Sequence, residues 1–208
     1  MSKYNEKRAI NDIRLLALDM INEAGSGHPG IALGAAPILY TLFKNHLNFD
    51  LERKDWINRD RFVLSPGHGS ALLYATLFYL MDDYNLVDLR NFRKLDSMTP
   101  GHPEYDLNHR IEATTGPLGQ GFANAVGMAM ASKYLGATYN DKNVTLFDNY
   151  VYALCSDGDL MEGISYEAAS LAGNLELDNL IVLYDSNNIS LDGNISKTFT
   201  DDIGERFL

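Results

Sequence analysis

The sequence predicts an α/β fold, a parallel sheet with helices on both faces, and three observations carry that reading. The first is a strand, acidic turn, helix, strand run between Tyr150 and Gly193. The second is a short apolar strand, Arg61 to Leu64, that feeds directly into a glycine-rich loop and a helix. The third is the repeated use of Gly-His loops to open helices, at Gly27-His28, Gly67-His68 and Gly101-His102. A chain of 208 residues, 46% hydrophobic and without a long low-complexity run, has enough material for one sizeable α/β domain over residues 1–208.

In order, the first element is an amphipathic helix from about Tyr4 to Ala24. Ile10, Ile13, Leu16, Ala17, Met20 and Ile21 fall on one face, and Gly25 stops it. Ser26-Gly27-His28-Pro29-Gly30 predicts a loop, and a second apolar helix follows from about Ile31 to Phe43, with Pro37 as a kink or a boundary. Arg61 to Leu64 leads through Ser65-Pro66-Gly67-His68-Gly69 into a third helix that reaches about Leu80. Ser97 to Glu104 is too rich in proline and glycine for anything but a loop. Thr114-Thr115-Gly116-Pro117-Leu118-Gly119-Gln120-Gly121 is a further glycine turn, before an alanine-rich helix from Phe122 to Tyr134. The small residues Ala123, Ala125, Gly127, Ala129 and Ala131 in that helix permit close approach of another backbone. Residues 136–149 read as a polar surface connection.

Tyr150 to Cys155 is then a buried strand bounded by Ser156-Asp157-Gly158-Asp159. Ile164, Ala168, Leu171 and Ala172 recur at helical spacing between Glu162 and Gly173, and Asn179 to Asp185 is a second apolar strand ending in Ser186-Asn187-Asn188. A crossover of this length makes the two strands parallel and puts their carboxyl ends on one edge. Asp157 and Asn187 meet there, where open α/β sheets bind ligands. A carboxylate and an amide oxygen beside a helix N-terminus suit a hard cation that shares its shell with phosphate oxygens, and magnesium is the first candidate. Asp-Gly and Asn-Asn turns also end strands that hold no ligand, so the turns alone leave both readings open.

Composition limits the partners. A net charge of −11 disfavours nucleic acid and anionic membranes. The single cysteine, Cys155, rules out an internal disulfide and fits a reducing compartment, and no apolar leader or span is visible, so a cytoplasmic protein is expected. His28, His68 and His102 each follow a glycine on a loop. They are too scattered for a short-spacing zinc motif, and hydrogen bonding to a polar substrate or a phosphate is the functional reading they favour over solvated side chains. His46 and His109 lack that context.

Asp157-Gly158 followed, beyond residues 159–186, by Asn187 resembles the thiamine diphosphate signature. SGHPG, SPGHGSALLYA, TPGHPE, TTGPLGQG, SDGDLMEGISYEAASLAG and LIVLYDSNNISLDG together, in this order, resemble the transketolase family almost from end to end. Ser156 stands where the signature usually has its first glycine, which matters only if that backbone needs a positive φ.

The resemblance implies a thiamine-diphosphate-binding fold and transfer of a two-carbon ketol unit from a ketose phosphate to an aldose phosphate. The cofactors it implies are thiamine diphosphate and magnesium, calcium or manganese. The metal would be held by the Asp157 carboxylate, the Asn187 side-chain oxygen and the Ile189 carbonyl, with Gly158 against the diphosphate. Gly116 and Leu118 would touch the aminopyrimidine side. Of the histidines, His28 would hold substrate near its reacting carbon, His68 would face the diphosphate and substrate oxygens, and His102 would touch the donor's hydroxyls. Glu162 would join a carboxylate network across a homodimer interface, although a helix-start glutamate also has a plain capping role. In the family the glutamate that bonds the aminopyrimidine belongs to a second domain. The chain ends at Arg206-Phe207-Leu208 without a stop signal, so it is expected to be a truncated diphosphate-binding part that is inactive alone and works as a homodimer when full length or with a C-terminal partner chain. The alternatives are a non-catalytic metal-diphosphate or oligomerisation domain of the same fold, or a dihydroxyacetone or deoxyxylulose-phosphate synthase.

Overall fold

The computed structural model describes residues 3–187, 189–190 and 193–207, so Asn188 of the predicted turn lies outside the described residues. Backbone contacts group the chain into two compact units. One is Met1–Lys54 with Gly67–Thr114, and the other is Asp55–Pro66 with Thr115–Leu208.

The first unit is helical. α1 (Lys3–Ala24) buries Ile13, Ala17, Met20 and Ile21 and turns Leu15 to solvent, as its spacing predicts. α2 (Pro29–Asn45) starts earlier than expected. Proline at the first helical position loses no backbone bond and brings a preset φ, so Pro29 and Gly30 open the helix instead of lying in the loop. Pro37 lies inside α2 without ending it. After a 3-10 turn at Gly67–Gly69, α3 (Ser70–Met81) is buried on nearly every side, with Leu72, Tyr74, Thr76 and Leu77 sealed from solvent, and it packs on α1 and α2. α4 (Leu86–Arg90) is fixed by Asn85, whose side chain accepts from the Val87 and Asp88 amides. The long loop that follows is tied down at three points. Thr99 Oγ1 donates to the Asp88 carbonyl at 2.7 Å, Tyr74 OH to Pro100 O at 3.1 Å and Ser70 Oγ to Gly101 O at 2.7 Å.

The second unit is the α/β layer. Its sheet, β1 (Arg61–Leu64), β2 (Val151–Ser156) and β3 (Leu180–Asp185), runs in that order and entirely parallel, with Leu64 opposite Leu154 and Ser156 opposite Asp185. The central β2 carries the core: Val151, Ala153, Leu154 and Cys155 are all fully buried, and burial pushes the Cys155 thiol far up from its ordinary range. β3 is half-buried throughout. α5 (Gln120–Tyr139) packs on all three strands and on α7 (Gly163–Asn174). The acidic turn predicted after β2 is itself helical, α6 (Asp157–Met161).

Two packing details go beyond what spacing gives. On α7, Ile164, Ala168 and Ala172 are half-buried and Leu171 is 44% exposed, while the only buried residue is Ser165. Its hydroxyl donates to the Asp159 carbonyl at 2.5 Å, on the side that turns inward. Close approach to α5 occurs at Gly121, where an added Cβ would lie 2.5 Å from Ser65 Cα; Gly127 faces open space. β4 (Ile189–Ser190) and β5 (Gly193–Asn194) form a two-stranded antiparallel pair, and α8 (Ile203–Arg206) follows. Among the described residues no helix is long and apolar enough to cross a membrane.

Candidate functional site

At the carboxyl edge of the sheet, β2 ends at Ser156 in an extended conformation, φ −116° and ψ 172°. Serine therefore replaces the usual glycine there without backbone strain. The next residue, Asp157, is 3% exposed at the first position of α6, where its charge meets the helix's free amides. Parallel pairing of β2 with β3 brings the two predicted ligand residues together, and the Asn187 amide donates to Asp157 Oδ2 at 3.3 Å. Asn187 Nδ2 also donates to Asp185 Oδ2 at 3.3 Å, which orients the amide. The Tyr184 hydroxyl, one residue before Asp185, donates to Asp157 Oδ1. Burial, then the bond to that carboxylate, pushes the Tyr184 hydroxyl up to about 12. β4 begins at Ile189 and lies against α6, so the Ile189 main chain is near the same turn.

The glycine turn before α5 reaches this edge too. Gly116 (φ 151°) and Gly119 (φ 80°) take conformations that side-chain-bearing residues rarely adopt. A Cβ on Gly158 would sit 3.1 Å from Leu118 Cδ1, so the Leu118 side chain packs against Gly158, where a larger residue would crowd it. Sequence reasoning missed Asp159, which is fully buried and bonded to Ser65, Gly119 and Ser156. The pattern Ser156-x-x-Asp159, a serine followed three residues on by a carboxylate, was the available signal. Ser65 and Tyr184 had none. Glu162 stands at the N-cap of α7, exposed, and its side chain makes no capping hydrogen bond there.

In the helical unit, His28 occupies the N-cap of α2 and His68 the 3-10 turn before α3, with ring centroids 4.8 Å apart and planes tilted by 54°. His102 is exposed on the loop held by Ser70, Tyr74 and Thr99. Arg93 organises this end of the unit from a left-handed backbone position, φ 64°. Its Nη1 donates to Ser26 Oγ at 3.3 Å, and a Cβ on Gly101 would lie 3.2 Å from its Nε, so one guanidinium touches both loops. Partial burial of the His28 ring, then the charges of Arg93 and His102, lower the His28 pKa and favour the neutral imidazole, which can both donate and accept hydrogen bonds. His46 is exposed, whereas His109 is structural: its Nδ1 is 2.6 Å from Asp106 Oδ2 and its ring stacks on Tyr84 at 4.8 Å.

The residues at the sheet edge fit a metal-diphosphate group. A carboxylate, an amide side chain and a main-chain carbonyl are hard oxygen donors, and Gly158, with no side chain of its own, lies in the first turn of α6 beside Asp157.

Comparison with known proteins agrees with this geometry. The family model described as transketolase, thiamine diphosphate binding domain, matches residues 5–208. A transketolase of Halalkalibacterium halodurans is 54% identical over 207 residues, covering 100% of this chain and 31% of that protein. One of Bacillus subtilis is 54% identical over 202 residues, 97% of this chain and 30% of that protein. Among solved structures, transketolase from Leishmania mexicana aligns with TM-score 0.91 at 48% identity over 97% of this chain and 30% of that one. Transketolase from Campylobacter jejuni aligns with TM-score 0.91 at 49% identity over 100% and 32%. The chain thus spans about a third of the length of the relatives it matches. With both sequence and structure matched across nearly all of its length, the chain belongs to the transketolase family, in the part that binds thiamine diphosphate.

Proposed function

We propose that this chain supplies the diphosphate and metal side of a transketolase that moves a two-carbon ketol unit from a ketose phosphate to an aldose phosphate. The observation that carries the reading is the meeting of Asp157 with Asn187 at the sheet edge, beside Gly158 at the start of α6. Bound there, thiamine diphosphate supplies a nucleophilic carbon and an electron sink for the carbonyl chemistry. The Asp157 carboxylate, Asn187 side-chain oxygen and Ile189 carbonyl hold magnesium, with calcium or manganese able to replace it, and Gly158 and Asn187 receive the diphosphate. Gly116 and Leu118 bear on the aminopyrimidine side.

His28, His68 and His102 serve the sugar phosphates. The neutral His28 ring accepts or donates a proton near the reacting carbon, His68 bonds substrate and diphosphate oxygens, and His102 holds the donor's hydroxyls. The exposed Glu162 carboxylate joins a network across a homodimer interface. The two compact units together form one diphosphate-binding domain, since the family match runs through both. The protein is cytoplasmic, serves the pentose phosphate pathway and needs either the remainder of a full-length homodimer or a C-terminal partner chain for activity.

The test is calorimetry on the full-length enzyme. Each diphosphate oxygen on the metal completes a shell that the protein leaves open, so magnesium and thiamine diphosphate bind cooperatively, and Asp157→Ala abolishes that cooperativity. Cofactor affinity unchanged by the substitution would refute the metal assignment.

A further inference from the structure

Asp159 lies two residues beyond the proposed metal ligand Asp157 and is fully buried. Its Oδ1 accepts from Ser65 Oγ at 2.7 Å and from the Gly119 amide at 3.0 Å. Its Oδ2 accepts from the Ser156 amide at 3.0 Å and from Ser156 Oγ at 2.9 Å. A carboxylate has about four lone-pair sites, and all are taken, so none is left for a metal or a substrate. The links run further. Ser65 Oγ in turn accepts from the Phe122 amide at 3.0 Å, and the Asp159 carbonyl accepts from Ser165 Oγ.

One side chain therefore ties the ends of β1 and β2 to the turn before α5, while its own carbonyl holds α7. That turn carries Gly116 and Leu118, and the end of β2 carries Asp157 and Gly158. We propose that Asp159 is a positioning residue that locks the Gly116–Gly119 turn to the Asp157–Gly158 turn, so that the cofactor's two anchoring loops are set before it arrives. The proposal rests on the thiamine diphosphate reading above. Ordering two loops costs free energy, and a clasp that meets this cost during folding leaves more of the contact energy for binding.

The chemistry demands a carboxylate and not its isostere. Serine hydroxyls can turn and accept, but backbone amides cannot. A backbone N–H points at each oxygen, Gly119 at Oδ1 and Ser156 at Oδ2, so asparagine in either orientation sets its NH2 group against a donor. Ser156 adds a hydroxyl that the family's usual glycine cannot offer, and Ser156→Gly leaves both amide bonds in place.

The experiment uses the full-length enzyme, with thiamine diphosphate titrated at saturating magnesium. Asp159→Asn is expected to weaken cofactor affinity by about 10–100-fold, with kcat recovering once cofactor saturates. Ser156→Gly loses less, within about tenfold. Hydrogen exchange of the cofactor-free Asp159→Asn protein speeds up at residues 118–121 and 156–158 while the rest of β2 stays protected. If Asp159→Asn does not fold, Ser65→Ala removes one donor to the same carboxylate and is expected to weaken cofactor binding while kcat at saturation is kept. An Asp159→Asn affinity loss no greater than that of Ser156→Gly overturns the proposal. So does a kcat that stays low at saturating cofactor with affinity unchanged, in either Asp159→Asn or Ser65→Ala. Failure of the wild-type enzyme to bind thiamine diphosphate would instead overturn the reading on which the proposal stands.

Discussion

Gly121→Ala sets two forces against each other inside one helix. Alanine is the better helix former by at most about 1 kcal/mol, so propensity alone predicts a stabler protein. The structure predicts the reverse. The new methyl would lie 2.5 Å from Ser65 Cα and 3.0 Å from both its Cβ and Oγ. Ser65 cannot retreat, because its amide is in the sheet ladder, bonded to Leu154 O at 3.0 Å, and its hydroxyl is bonded to Asp159 and to the Phe122 amide. Overpacking against backbone costs about 1–3 kcal/mol, and stretching the two buried hydroxyl bonds adds about 1 kcal/mol. The net is a loss of about 1–3 kcal/mol, or about 2–12 °C in Tm for a chain of this size. Gly127→Ala is the matched control, since that glycine is in the same helix with nothing within 4 Å, and it should raise Tm by about 2–4 °C. Both variants would be compared with the parent by scanning calorimetry. Equal or greater stability of Gly121→Ala relative to Gly127→Ala would refute the close-approach argument.

Arg93→Met should raise the His28 pKa toward its ordinary value but not fully, since burial is the larger cause, and histidine resonances followed by NMR against pH would show it. The neutral His28 ring is the form favoured by folding. The stability tied to it is therefore complete above the unfolded value of about 6.5 and lost as the pH falls through it toward the folded value; Arg93→Met flattens that dependence, and urea unfolding between pH 5 and 8 measures it. In the full-length enzyme, His68→Ala and His102→Ala should impair use of sugar phosphates while moving Tm little; a large fall in Tm with normal turnover per folded molecule would return either residue to a structural role. Tyr184→Phe removes the hydroxyl bonded to Asp157 Oδ1, and magnesium affinity measured by calorimetry should change by about tenfold while the sheet stays intact by circular dichroism.

The sheet edge was legible because its signals are local and periodic. β2, α7 and β3 appear within a residue or two of their predicted bounds, and parallel pairing of β2 with β3 follows from crossover length, so the approach of Asn187 to Asp157 follows from the sequence alone. The start of α2 was misplaced because Pro29 looks like a breaker in a string of letters, although at the first helical position it lacks only a donor that would be unpaired anyway. The burial of Ser165 on α7 was not legible, because side-chain periodicity knows nothing of its hydroxyl bond to the Asp159 carbonyl. Ser65 was invisible for the same reason: its partners Asp159 and Phe122 are distant in sequence, and a lone serine after a strand carries no pattern. Arg93 was passed over because its role depends on a left-handed backbone beneath Gly101, which no composition rule reports.

Cys155, the chain's one thiol, sits at zero exposure in the central strand, with burial disfavouring its reactive thiolate. That combination makes it a built-in clock for the opening of the sheet. An added thiol reagent can reach the sulfur only while β2 is parted from its neighbours, so the labelling rate, divided by the rate for an exposed cysteine, reads the fraction of time the centre stands open. No probe has to be engineered, and within residues 1–208 no second cysteine blurs the signal. Run with and without thiamine diphosphate and magnesium, the same measurement reports how far ligands at the strand ends slow the opening of the strand's middle.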